Sequence, residues 1–246
     1  MKVAQISDLH LTKNGQIIWD TDTLSHFKSA YRILASIKDL DAIIISGDLS
    51  NDGSEWTYRY IDDLLSSLDV PVYCCLGNHD SKAPLQMTFK CMRFEQMAMI
   101  GEWKFIFVSS VIENPEEVGR FKSRGWISTD DLKYLQSAIY SGHKTAVVLH
   151  HPPLEPGGWL NRKPLENRDT FNDIILGSDV RLVLFGHIHY ALQQTFNGIL
   201  YSSAPSVGFA YDKELPKYQI AEGNEGISII SFDKSITIQT KLLNHS

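Results

Sequence analysis

Five short polar clusters carry the side chains with the most chemical potential: Ser7-Asp8-Leu9-His10, Gly47-Asp48, Gly77-Asn78-His79-Asp80, His150-His151-Pro152-Pro153 and Gly186-His187-Ile188-His189. They offer carboxylate oxygens, imidazole nitrogens and one amide oxygen, with no thiolate. That donor set suits borderline divalent ions such as Mn, Fe, Zn, Co or Ni. Asp8, His10, Asp48, Asn78, His150, His187 and His189 are the candidate ligands. Together they exceed what one tetrahedral ion takes, and a bridging carboxylate, Asp48, would divide them into two sites that each keep room for water. In Asp-x-His and His-x-His, alternate side chains of an extended segment share one side, so both members of a pair can face one ion.

Each cluster follows an apolar run, and those runs must position it. Val3 to Ile6, Ala42 to Ser46, Val70 to Leu76, Trp103 to Ser109, Thr145 to Leu149 and Arg181 to Phe185 read as strands. Leu24, Phe27, Tyr31, Leu34 and Ile37 recur at helical spacing after a cap at Thr23. Further helices are expected from about Glu55 to Leu68 and from Asp130 to Tyr140, the latter opened by acidic residues that suit a helix N-terminus. This alternation is that of a layered α/β fold, in which ligands collect at the carboxyl ends of strands, so clusters far apart in sequence can converge. Ile199 to Ser202, Ile227 to Phe232 and Ile236 to Leu242 are expected to make a second, mostly antiparallel sheet. His151 to Arg168, rich in Pro and Gly, is expected to be a loop without an element of its own.

At 246 residues and 43% hydrophobic, the chain can bury a full-sized core, and residues 1–246 are read as one domain. A formal charge of -6 argues against general nucleic-acid binding, which needs a surplus of Lys and Arg on one face. No run approaches the ~18 apolar residues of a membrane span, and Met1-Lys2 leads directly into a strand rather than an export signal. Cys74 and Cys75 are adjacent and Cys91 is isolated, without C-x-x-C spacing, which fits a reduced compartment. The expected place is the cytoplasm. The C-terminal β segments can pair between subunits, which would give a homodimer.

The ordered set Asp8-Leu9-His10, Gly47-Asp48, Gly77-Asn78-His79-Asp80, His150-His151 and Gly186-His187-Ile188-His189 resembles the calcineurin-like metallophosphoesterases, over roughly residues 1 to 232. Within it, Gly47 to Gly53, the His150 to Pro153 loop with Trp159 and Asn167, and Pro205-Ser206 look like the bacterial class III cyclic-nucleotide (cAMP) phosphodiesterase branch. The resemblance implies a four-layer α/β/β/α sandwich with two central mixed sheets flanked by helices. It also implies that Asp8, His10, Asp48 and His189 hold one divalent ion, and that Asp48, Asn78, His150 and His187 hold the other. His79 matches a residue that faces the leaving group without ligating metal.

Two such ions bring about +4, against about -2 from Asp8 and Asp48 and about -1 from a hydroxide, so the centre stays positive in an acidic chain. It can then attract a phosphate ester and make hydroxide available near neutral pH. Asp48 and Asn78 are therefore expected to serve the reaction as well as the ions. His79 would protonate or hydrogen-bond the departing alkoxide, with Asp80 as a possible orienter of its ring. Protein phosphatases of this superfamily carry an Arg shortly after Gly-Asp, suited to a dianion; here Asn51-Asp52-Gly53 stands instead, and the second acid favours a singly charged diester. The expected substrate is thus a small phosphodiester, a 3′,5′-cyclic nucleotide such as cAMP, touched by Asn78 and His79, with Trp159 stacking on the base and Asn167 reading its edge. A phosphomonoesterase or nucleotide pyrophosphohydrolase would share every ligand, and a non-catalytic scaffold would share only the fold. His151 stays outside the ligand set, and His26, His143 and His245 are read as solvated.

Overall fold

The computed structural model describes residues 1–112, 119–215 and 219–243. The elements, in chain order, are β1 (Lys2–Ile6), α1 (Thr23–Ser36), β2 (Ala42–Ser46), α2 (Glu55–Leu65), β3 (Val72–Cys75), β4 (Met92–Arg93), β5 (Met97–Ile100), β6 (Trp103–Phe107), α3 (Thr129–Ala138), β7 (Thr145–Val148), α4 (Arg168–Ile175), β8 (Val180–Phe185), β9 (Leu192–Phe196), β10 (Ile199–Ser203), β11 (Gly226–Phe232) and β12 (Ile236–Leu242). They build two mixed six-stranded sheets, ordered β12-β11-β1-β2-β3-β4 and β5-β6-β7-β8-β10-β9. β1 to β4 run parallel, as do β6, β7, β8 and β10, while β11, β12, β5 and β9 are antiparallel to their neighbours.

The central strands are almost entirely buried and mostly apolar because each is covered on both faces. Ala4, Ile6, Ile43 and Ile45 pack against Phe27 and Leu34 of α1 and Tyr58, Ile61 and Leu65 of α2. The alternate residues Val3, Ala42 and Ile44 meet Phe105, Ala146, Val148, Leu182 and Leu184 of the other sheet. That sheet's far face, Val147, Val183 and Phe185 among others, packs on Leu135 and Ile139 near α3 and on Phe171 and Ile175 of α4. The period-2 alternation of strands thus stacks four layers, helices, sheet, sheet, helices. Buried Gln5 of β1 ties the middle layers together, donating through Nε2 to the Phe185 carbonyl of β8 at 2.9 Å.

Three expectations about elements change. The C-terminal strands do not form a sheet of their own: β10 joins β8 in parallel, whereas β11 runs antiparallel beside β1 and carries β12 on its outer edge. The Pro/Gly-rich stretch holds a 3-10 turn at Gly158–Arg162 and leads into α4, whose Phe171 and Ile175 anchor it. The cap of α1 is Asp22, whose carboxylate accepts from the Ser25 N–H, and Thr23 is the first helical residue. No helix of the described residues is long and apolar enough to cross a membrane.

Candidate metal centre

All five polar clusters lie immediately beyond the carboxyl ends of parallel strands, after β1, β2 and β3 in one sheet and β7 and β8 in the other. Their loops are stitched together by the backbone: Asp8 N–H donates to the Gly47 carbonyl, His10 N–H to Asp48 and Gly186 N–H to His150. The Asp8 carboxylate accepts the His187 N–H at 3.1 Å, joining the two sheets at the site. Asp-x-His and His-x-His are not extended here. Asp8, His10, Asp48, His187 and His189 have φ of 53°, 46°, 52°, 70° and 59°. Left-handed backbone at a non-glycine residue costs on the order of 1 kcal/mol and persists only where its surroundings enforce it, as they do at functional sites. Two glycines supply the room: a Cβ on Gly77 would overlap Asp48, and one on Gly186 would overlap Ser7 and Asp8.

The side-chain atoms converge on two foci. His189 Nε2 stands 3.3 Å from Asp8 Oδ1 and 3.2 Å from His10 Nε2, and His10 Nε2 is 3.5 Å from Asp48 Oδ2. In the second focus, His150 Nε2 is 3.3 Å from the same Asp48 Oδ2, 3.2 Å from Asn78 Oδ1 and 3.3 Å from His187 Nδ1. At a ligand bond of ~2.1 Å, two ligand atoms of a tetrahedral ion stand about 3.4 Å apart. Several of these contacts set lone pair against lone pair unless a proton or a cation intervenes. The groups able to hold an ion, Asp8-His10-His189 and Asp8-Asp48-His150 among them, coincide with these foci.

Three imidazoles are turned toward the centre by an oxygen behind the ring. Nδ1 lies 2.9 Å from the Ser46 carbonyl in His150, 2.7 Å from the Phe209 carbonyl in His189 and 3.2 Å from Asn51 Oδ1 in His10. An Nδ1–H donating backward leaves Nε2 with a free lone pair at the focus. Burial would push the Asp48 carboxyl up, but His150 outweighs it and holds Asp48 well below its usual range; His189 likewise holds Asp8 down against burial. Burial holds His10 down at about 3 and His187 well below its ordinary value, so both are neutral donors. Burial also opposes a charge on His150, yet Asp48 pushes it up to about 9. That proton is one an entering ion would displace.

His79 is half-buried and edge-on to His10, ring centres 4.7 Å apart, and its backbone N–H donates to Asp48 Oδ1 at 2.7 Å. Burial lowers its pKa, so at neutral pH it is an uncharged N–H donor. Asp80 does not orient that ring. Its carboxylate accepts from the N–H groups of Leu49, Ser50 and Gly77 and from Tyr58 Oη, fastening the Asp48 loop to the Asn78 loop. Enclosure, then the Asp48 charge, pushes Asp80 up to about 7.

Asn167 fastens its loop. Its amide accepts the Ile127 N–H and donates to the Ile127 carbonyl, at 3.1 and 2.8 Å. The Asp52 carboxylate accepts from Lys13 N–H, Ser50 Oγ and Ser54 N–H. Trp159 reaches the centre through an intermediary: it lies edge-on to Tyr211 at 5.5 Å, and Tyr211 stacks on His189 at 4.4 Å. His26 is not simply solvated, its Nδ1 lying 2.7 Å from the Gly208 carbonyl, whereas His143 is exposed and His245 lies outside the described residues.

Sequence reasoning missed Asn51, Phe209 and Tyr211, which back or wall the histidines, because such partners carry no spacing signal. It also missed two cations. Lys163, over the Trp159 ring at 5.3 Å, has its pKa lowered by burial against the opposing pull of the Asp48 charge, and Lys122 acts electrostatically on His79. Lys122 lines a cavity of about 1080 Å³ beside Asn78, together with Lys82, Arg120 and Trp126.

A family model described as calcineurin-like phosphoesterase matches residues 1–191. The chain is 27% identical to a 3′,5′-cyclic-nucleotide phosphodiesterase from Nostoc sp., over 98% of this chain and 91% of the relative. It is 28% identical to a 3′,5′-cyclic adenosine monophosphate phosphodiesterase from Pseudomonas aeruginosa, over 88% of this chain and 83% of that one. Its fold is similar to that of a dimetal phosphatase from Danio rerio, with a TM-score of 0.70 at 12% identity, covering 100% of this chain and 99% of the other.

Proposed function

The chain belongs to the calcineurin-like phosphoesterase family, and from that premise we propose that it is a two-ion phosphodiesterase whose substrate is a 3′,5′-cyclic nucleotide such as cAMP. The observation that carries this reading is the pair of foci sharing Asp48 Oδ2, each with ligand-edge spacings of 3.2–3.5 Å. Asp8, His10, Asp48 and His189 would hold one divalent ion, and Asp48, Asn78, His150 and His187 the other. The donor set of oxygens and imidazoles fits such ions, with Asp8 and Asp48 held ionised, His10 and His187 held neutral, and His150 giving up its proton as an ion enters. Bound there, they supply Lewis acidity toward phosphoryl oxygens and lower the pKa of water.

The chain's own side chains supply the rest. His79, against His10, donates a hydrogen bond to the departing alkoxide. The Asn78 amide adjoins the same face. Lys122 and Lys163 add positive potential around the bound phosphoryl group, and the Trp159 ring, edge-on to Tyr211, offers an aromatic surface on which a base can stack. The diester preference rests on the named activities of the two relatives and on Asn51-Asp52-Gly53 standing where a dianion-binding Arg would be. Residues 1–246 act as one domain in this reading, since β11 completes the first sheet and the Phe209 carbonyl, beyond the family match, fixes His189.

A hydrolysis panel with added Mn tests the reading: 3′,5′- and 2′,3′-cyclic nucleotides, a glycerophosphodiester, an aryl diester and an aryl monoester. The 3′,5′-cyclic nucleotide should have the highest kcat/KM. An aryl monoester cleaved far faster than every diester would overturn the diester assignment, and a purified chain without bound ions would overturn the catalytic one.

A further inference from the structure

His187 is the reversed member of the histidine set. Its Nδ1 faces the centre, 3.3 Å from His150 Nε2, and its Nε2 is buried with no hydrogen-bond partner. When one ring nitrogen lends its lone pair to a cation, the other carries a hydrogen, and that N–H needs an acceptor when it is out of water. The other three imidazoles have one in Asn51, Ser46 and Phe209. His187 lacks the equivalent.

Among the described residues, the other buried imidazole nitrogen without a partner is Nε2 of His151. The two rings are 4.5 Å apart, and ring nitrogens of His150, His151 and His187 lie within 4.8 Å of one another. His151 is seated for a purpose other than filling space. The Ser110 hydroxyl accepts its backbone N–H at 3.1 Å and meets its Nδ1 at 2.9 Å, and a Cβ on Gly125 would overlap the ring. With Nδ1–H donating to Ser110, Nε2 keeps a lone pair.

We propose that His151 is the positioning residue of the second ion site: the two Nε2 atoms, not bonded to each other in this structure, pair when an ion takes His187 Nδ1, so that His187 Nε2–H donates to His151 Nε2 and His187 is held with Nδ1 toward the Asp48–Asn78–His150 focus. The adjacent histidines then divide their labour, His150 as ligand and His151 as support for a ligand from a different strand. This rests on the two-ion reading and adds to it the means by which the second site is shaped.

Ion content and affinity test it independently of turnover. His151→Phe keeps a ring without an acceptor, and His151→Gln restores a carbonyl oxygen. Ions per chain are counted by plasma mass spectrometry, affinities come from chelator competition, and Co(II) absorption reports geometry at each site. His151→Phe should keep the first ion and bind the second about 10–100-fold more weakly, with a changed Co(II) spectrum; His151→Gln should recover most of both. A wild-type second-site affinity and spectrum in His151→Phe would overturn the proposal. Should His151→Phe not fold, Ser110→Ala removes the hydroxyl that seats His151, and an unchanged second-ion affinity there overturns it equally. Fewer than two ions on the wild-type chain would sink the two-ion reading itself, a different result from two ions that ignore His151.

Discussion

His79 separates binding from chemistry. Because it stands edge-on to His10 and its bond to Asp48 comes from the backbone N–H, His79→Ala should retain ions while losing about 10²–10⁴-fold in kcat on diesters with poor alkoxide leaving groups. An aryl diester should be spared most of that loss, and equal loss on both would remove His79 from leaving-group chemistry. His150 makes a prediction about acid and base. Its folded pKa is raised to about 9 by Asp48, so in chelator-treated protein its stabilising charge is fully present below about 6.5 and is lost as pH rises through about 9. His150→Gln should therefore melt lower than wild type at pH 6 and converge with it above pH 9. The candidate ligands were readable as residue types and spacings, because donors must recur wherever an ion is held. Their support was not: Asn51, the Phe209 carbonyl and Ser110 are ordinary residues whose role exists only in three dimensions. Asn167 is an amide in a suggestive loop whose pairing with Ile127 at both ends was equally invisible in sequence.

Loops, more than strands, determine whether the site has its shape, and Asp80 is the clearest case. Replacing it by Ala strands three backbone N–H groups and Tyr58 Oη between the Asp48 and Asn78 loops. That should cost about 2–3 kcal/mol in chemical denaturation and weaken both ions together, whereas Tyr58→Phe, which takes away one donor to Asp80 and the acceptor of Ser81 N–H, should cost about 1–2 kcal/mol. The strands that carry the loops were readable from apolar runs ending in polar clusters, and α1 from its helical period. α4 escaped notice because its eight residues follow a run of Pro and Gly and its anchors, Phe171 and Ile175, amount to one turn's worth of signal. The C-terminal strands were recognised as strands and given the wrong neighbours. Period-2 alternation reveals a strand and a buried face, but the partner of a strand is chosen by which edge remains open; β1 took β11 antiparallel and β8 took β10 in parallel.

Across the molecule, each focus draws on both sheets. His189, beyond β8, reaches Asp8 and His10, while His150, beyond β7, reaches Asp48 and Asn78 and is met by His187. Ions bound there should stabilise the docked sheets by RT ln(1 + [ion]/Kd) per site, about 2.7 kcal/mol at a hundredfold excess over Kd. Chelation should accordingly lower the melting temperature, and amide exchange should quicken at the facing ends of β1 and β8 while the outer ends of the strands change less. The same placement has a temporal side. During synthesis a ribosome must release His187 and His189 before either focus has its full set, and the Phe209 carbonyl that aims His189 follows twenty residues later. The nascent chain can hold Asp8, His10, Asp48 and Asn78 in a half-built sheet long before that. Metal loading is thereby deferred until the two sheets have met, and an ion captured earlier would rest on a partial and more exchangeable set of donors.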